Sequence, residues 1–151
     1  MTLIREFKPQ ADDERLYDIV LISLDEIYNP NVFFGFYALW PQGQLVAVDI
    51  FDRPIGYISS VRLRDGWARI MMLAVDEGHR GKGVGSDLLQ RFRAESARSG
   101  ITAITLEVKK ENERAIRFYE KNGFRRTRVL PRFYADGSDG VRMDSPAHLY
   151  I

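Results

Sequence analysis

Apolar and polar positions change rhythm several times along this chain, and each change marks an element. Residues 3–7 read as a short opening strand. Residues 12–24 carry Leu16, Ile19, Val20 and Ser23 at the spacing of an amphipathic helix. Residues 25–34 are apolar and aromatic but broken by Asn29-Pro30-Asn31, which predicts a loop or a short helix. Three strand-like runs follow at 45–51, 55–63 and 67–75. Asp52-Arg53-Pro54 separates the first two, and Arg64-Asp65-Gly66 the second two. Asp-Gly between apolar runs is a strong hairpin signal, so these runs predict an antiparallel meander. The helical period returns over 83–99, with Val84, Leu88, Leu89, Phe92 and Ser96 on one face and Gly100 as its end. Residues 102–108 form a strand rich in β-branched side chains. Residues 112–122 form a helix with Asn112 as its cap and Gly123 just beyond. The last strands are 124–130 and 141–143, joined by an Asp-Gly-rich loop over 131–140. This order predicts an α/β fold with a mixed, mostly antiparallel sheet of about seven strands and about four helices. The helix at 83–99 crosses between the strands at 67–75 and 102–108, which sets those two in parallel.

The most specific local feature is His79-Arg80-Gly81-Lys82-Gly83-Val84-Gly85-Ser86, between an apolar strand and an amphipathic helix. Glycines let the backbone turn and let an anion approach bare amides. The helix start adds unpaired N–H donors and about half a unit of positive charge. Together they make a phosphate seat. It is not a Walker loop, because Gly83 is followed by Val84 and Gly85 instead of lysine and a hydroxyl residue. A dinucleotide fingerprint is a near miss: Gly81-x-Gly83 has Ser86 in its third place, although Glu107 lies at about the right distance. The loop also follows a meander and does not open the chain, which disfavours that fold. A glycine turn without a ligand is the alternative, at an entropic cost that nothing would offset.

Composition narrows the class. The 151 residues read as one domain over 1–151, large enough for a proper core. A net charge of +1 gives no bulk case for nucleic acid binding. The chain has no cysteine and two histidines, which excludes a cysteine nucleophile or thiolate site and disfavours a histidine metal centre. No signal peptide or membrane span is visible, so the expectation is a cytoplasmic protein with no metal, no membrane and no nucleic acid partner. Oligomeric state is not readable.

Three pieces closely resemble the GNAT superfamily of acetyl-CoA-dependent N-acetyltransferases. The first is Arg80-Gly81-Lys82-Gly83-Val84-Gly85 preceded by Leu73-Ala74-Val75. The second is Leu106-Glu107-Val108 followed by Asn112-x-x-Ala115-Ile116-x-Phe118-Tyr119-x-x-Asn122-Gly123-Phe124. The third is Tyr134-x-Asp136-Gly137-x-Asp139-Gly140 with Met143. The match covers roughly residues 45–143 well and the first 40 loosely. The second and third pieces look most like the ribosomal-protein and archaeal N-terminal acetyltransferases. These modify the α-amine of a protein's first residue.

The resemblance implies acetyl-CoA as cosubstrate and a protein N-terminus or peptide as acceptor, ribosomal proteins among the possibilities. The loop amides of Arg80, Gly81, Lys82, Gly83, Val84 and Gly85, with the Ser86 hydroxyl, would hold the pyrophosphate. The backbone edge of Leu73, Ala74 and Val75 would pair with the pantetheine arm, and one of its N–H groups would polarise the thioester carbonyl. Asn112 would offer its amide to that arm; capping its helix is compatible with this. Glu107 would act as general base, directly or through water, and Tyr119 as general acid. The plainer readings are a solvated carboxylate or a partner for Lys109 at Glu107, and a packed core tyrosine at Tyr119. Glu26, Tyr28 and Tyr134 would line the peptide slot, or would be core aromatics and their neighbours. Arg69 stands on the central strand where some relatives carry tyrosine, and Phe133 where many carry tyrosine or asparagine. Alternatives to the α-amine are lysine, a polyamine or another small amine, and a non-catalytic acyl-CoA-binding module.

Overall fold

The computed structural model describes residues 2–23, 29 and 31–148. The elements in chain order are β1 (Leu3–Glu6), α1 (Asp13–Ser23), α2 (Val32–Leu39), β2 (Gln44–Val48), β3 (Pro54–Arg62) and β4 (Trp67–Val75). They continue as α3 (Val84–Arg98), β5 (Ala103–Lys109), α4 (Glu113–Lys121), β6 (Arg125–Leu130) and β7 (Gly140–Pro146). The seven strands form one sheet in the order β1-β2-β3-β4-β5-β7-β6. Every neighbouring pair is antiparallel except β4 and β5, which the α3 crossover sets in parallel.

Two irregularities of β4 shape the middle of the sheet. Ser59 pairs with Met72 while its neighbour Ser60 pairs with Ile70, so Met71 is an extra residue opposite β3. Such a bulge bends the strand and flips the side-chain alternation beyond it. The cores record that flip. Ala68 and Ile70 belong to the cluster under α3 and α4, with Leu88, Phe92, Leu106 and Ile116. Met72 and Ala74 belong to the opposite cluster, with Leu16, Val20, Phe33 and Tyr57. The β4–β5 ladder holds Trp67↔Ala103, Ala68↔Ile104 and Arg69↔Thr105, and stops just before the bulge. Beyond it β4 and β5 part, and β5 continues alongside β7 to Lys109.

Most predicted elements lie where expected, with ends shifted by a residue or two; the run predicted as a strand over 45–51 ends at Val48, because Asp49 opens a turn in which its amide donates to the Arg53 carbonyl. Residues 25–34 contain the start of α2, which runs on to Leu39; eight residues apolar nearly all round carry little periodic signal. The final strand extends past Met143 to Pro146, because Thr105 Oγ1 donates to Asp144 at 2.6 Å and Ala103 pairs with Pro146.

One charged residue is buried on α3. Arg93 is buried, donates to Ser145 Oγ at 2.9 Å, to the Pro146 carbonyl at 2.6 Å and to the Asn122 carbonyl at 2.5 Å, and lies over the Phe124 ring. Burial lowers its pKa to about 10. It ties α3 to the ends of α4 and β7. Arg93→Met leaves these acceptors without their donor, and the expected loss is about 2–4 kcal/mol in urea unfolding.

Candidate active site

The glycine loop folds as its sequence requires. Gly81 and Gly83 have φ of 76° and 82°, in the left-handed region, and a Cβ at either would meet no atom within 4 Å. Glycine therefore supplies conformation there, and the space above the loop stays open. Gly83 is the N-cap of α3, so the amides that follow begin a 15-residue helix. Gly85 has another reason: a Cβ would lie 3.3 Å from Phe118 Cζ, so it lets α3 approach α4. Arg80 Nε donates to the Val75 carbonyl at 3.2 Å and braces the loop against β4.

Three cavities run in series from this loop. The first, about 600 Å³, is lined by Leu73, Ala74, Val75, Arg80, Gly81, Gly83, Val84, Gly85, Ser86 and Asn112, with α4 as its far wall. Lys82 is exposed on the same loop but is not among the lining residues. The second, about 280 Å³, fills the gap between β4 and β5. Leu73, Asn112, Ala115 and Tyr119 line both. The third, about 430 Å³, shares Arg69, Glu107 and Phe133 with the second. The residues singled out from sequence at 73–75, 80–86, 107, 112, 119 and 134 thus gather along one path, Lys82 excepted. Glu26 and Tyr28 lie outside the described residues. Among the described residues there is no group of three or more side chains that could hold a metal ion, and no helix is long and apolar enough to cross a membrane.

Glu107 departs from the solvated or Lys109-paired carboxylate that sequence allowed. Its side chain is 6% exposed; it forms an ion pair with Arg69, and Arg142 Nε stands 3.9 Å from its other oxygen. Lys109 turns to Asp136 at 3.1 Å and lies against the Tyr134 ring. The reason is geometric: cross-strand neighbours on one face are closer than residues two apart on one strand. The Nε atoms of Arg69 and Arg142 are buried and make no hydrogen bond among the described residues.

Tyr119 is both core residue and site residue. Its ring packs edge-on against Phe118 and Phe124, while the residue lines the first two cavities. Burial, with a smaller contribution from Tyr134, raises the phenol's pKa. Asn112 caps α4, its Oδ1 accepting from the Ala115 amide at 3.1 Å. Tyr134 sits on the β6–β7 loop, which is held by the Arg132 amide donating to Asp139 Oδ1 at 2.9 Å. Sequence reasoning missed Arg142, which needs the β5–β7 pairing to meet Glu107. It also missed Arg114, Phe118 and Lys121 on the first cavity's wall, although their spacing marks one face of α4.

Gly83→Ala is expected to cost about 1–2 kcal/mol in thermal unfolding through its left-handed φ alone. It should also shrink the rise in Tm that saturating CoA confers on the wild type.

Known proteins resemble this chain in sequence and in fold. The description of the acetyltransferase (GNAT) family matches residues 9–124. N-alpha-acetyltransferase 30 of Schizosaccharomyces pombe is 35% identical over 80% of this chain and 82% of its own length. The crystal structure of Ard1 from Thermoplasma volcanium superposes with a TM-score of 0.92 at 34% identity, covering 98% of this chain and 99% of that one. A structure of the NatC complex bound to Gag peptide and CoA aligns with a TM-score of 0.86 at 26% identity, covering 96% of this chain and 98% of the matched one. These matches show that this chain belongs to the GNAT family as an acetyl-CoA-dependent N-acetyltransferase.

Proposed function

We propose that this chain, acting as a single GNAT domain over 1–151, transfers the acetyl group of acetyl-CoA to the free α-amine of a protein N-terminus. The observation that carries this is the through-passage. A loop suited to phosphate opens on one side of Tyr119, and a cavity with Glu107 and Tyr134 opens on the other. A third cavity of about 430 Å³ continues beyond it and adds room for more of an acceptor than its amine. The relatives support the acceptor class: one is named an N-alpha-acetyltransferase, and the NatC complex holds a peptide with CoA. Ribosomal and other newly made proteins are acceptors of this kind, which fits a cytoplasmic enzyme.

The loop amides of 80–85 and the Ser86 hydroxyl take the pyrophosphate. The β4 edge at Leu73, Ala74 and Val75, which β5 does not cover, takes the amide-bearing arm as an added strand, with Asn112 facing it. An N–H of that edge polarises the thioester carbonyl as charge develops on its oxygen. An α-amine has a pKa of about 7.7–8.0, against about 10.4 for lysine, so near neutral pH it needs only a mild base. Glu107 serves as that base through water, since Arg69 already engages one of its oxygens. Tyr119, kept neutral by burial, presents its O–H to the departing sulfur as general acid. Tyr134 holds the peptide near its first residue. By the resemblance, Glu26 and Tyr28 form the opposite wall.

The test is acetyl-CoA turnover on short peptides with a free or blocked α-amine and an internal lysine. Turnover should require the free α-amine. Tyr119→Phe and Glu107→Gln should each lower kcat by roughly 10²-fold or more. Turnover that survives α-amine blocking would move the assignment to lysine.

A further inference from the structure

Beyond the reaction slot, the sheet presents a second feature. Helices α1 and α2 pack over β3 and β4. On that same side, β5, β7 and β6 carry a polar face. Glu107 and Arg142 are register partners there, and Thr105 and Thr127 both donate to Asp144. Arg128 is the register partner of Arg142, and Arg125 of Asp144, so both belong to this face. Both are exposed and have no ion-pair partner among the described residues. With Arg69 and Lys109 the face holds five cations, against Glu107, Asp144 and the nearby Asp136. Two positive charges are in excess here, on a chain whose net charge is +1.

Two details indicate an anionic occupant. Arg128 and Arg142 stand directly opposite each other, and like charges in that register are destabilising. Arg142 also lines the third cavity, beside Arg69 and Asp144, and that cavity leads from Glu107 onto this face. Distance fixes which part of an acceptor passes here. From Glu107 on β5 to Arg128 on β6 is two strand spacings, roughly 10 Å, which is about three extended residues.

Resting on the α-amine reading above, we propose that the open face of β5, β7 and β6 docks an acidic acceptor segment, Arg142 and Arg128 meeting carboxylates at its second to fourth residues. The interaction lies at the rim, half-exposed and screened by salt. It therefore selects among acceptors through KM and leaves the chemical step to the slot.

The test uses three peptides with the same first residue and length, carrying glutamate, glutamine or arginine at positions 2–4. The acetylated position is read by mass. At low salt the glutamate peptide should exceed the glutamine peptide roughly tenfold in kcat/KM, mostly through KM, with the arginine peptide lowest. Arg128→Gln should shrink that ratio about threefold, and 0.5 M NaCl should compress it towards one. Arg98→Gln, which removes an equal charge from α3, should leave the ratio unchanged. Equal kcat/KM for all three peptides at low salt, or a ratio indifferent to Arg128→Gln, would overturn the docking surface. If the α-amine is still the acetylated group in that case, the proposed function stands. Acetylation that persists on α-blocked versions of the peptides would overturn that function, and the docking surface with it. Equal peptides combined with inhibition by a short RNA that depends on Arg128 would reassign the face to nucleic acid.

Discussion

The parting of β4 from β5 is the constraint on which everything else in this molecule depends. A parallel pair ordinarily runs as a continuous ladder, and a continuous ladder would leave no slot. Here three register pairs are made, and then Met71 intrudes opposite β3. The bulge turns β4 away, leaving its edge from Ile70 to Val75 free of β5. Backbone N–H and C=O groups on an edge that no strand covers can pair with an added strand, which is the role proposed for the amide-bearing arm. The same bulge exchanges the faces of the strand, so that Ile70 and Met72 serve opposite cores. One extra residue thus opens the slot and gives each side of the sheet its own packing.

That division gives the two sides of the sheet different chemistry. The α3 and α4 side holds the glycine loop, the helix start and the Asn112 cap, all features suited to phosphate and amide groups. The other side holds Arg69, Glu107, Arg142 and the loop bearing Tyr134. Tyr119 lies where the two cavities meet, anchored by Phe118 and Phe124. Its dual character is a consequence of position: a side chain between two cavities is held by the core on one side and lines the cavities on the other.

What was legible in the sequence was what is local. Gly81 and Gly83 announce a left-handed backbone, Asn112 announces a cap, and Asp65-Gly66 announces a hairpin, because each effect acts within a few residues. The crossover of α3 and the parallel pair followed from element order. What could not be read depends on pairing between distant strands. The insertion of β7 between β5 and β6 has no local signature, and without it neither Arg142 nor Asp144 can be placed beside β5. The Met71 bulge is one apolar residue in a run of apolar residues. Arg93 carries no local sign of its burial, because its acceptors on Ser145, Pro146 and Asn122 come from beyond α3. Asp136 was likewise invisible as the partner of Lys109, since only the folded β6–β7 loop carries it there.

The charges around Glu107 bear on both proposals at once. Arg69 and Arg142 set two positive charges against the one Glu107 carboxylate. Coulomb interactions in a half-buried site are far stronger than in bulk water. A further anion arriving with the acceptor would offset that excess. On the docking proposal, a carboxylate at the acceptor's second or third residue, lying along Arg142 and Arg128, would supply it. In this reading the choice of acceptor and the working of the base are coupled through Arg142, which belongs to the register of β7 with both β5 and β6.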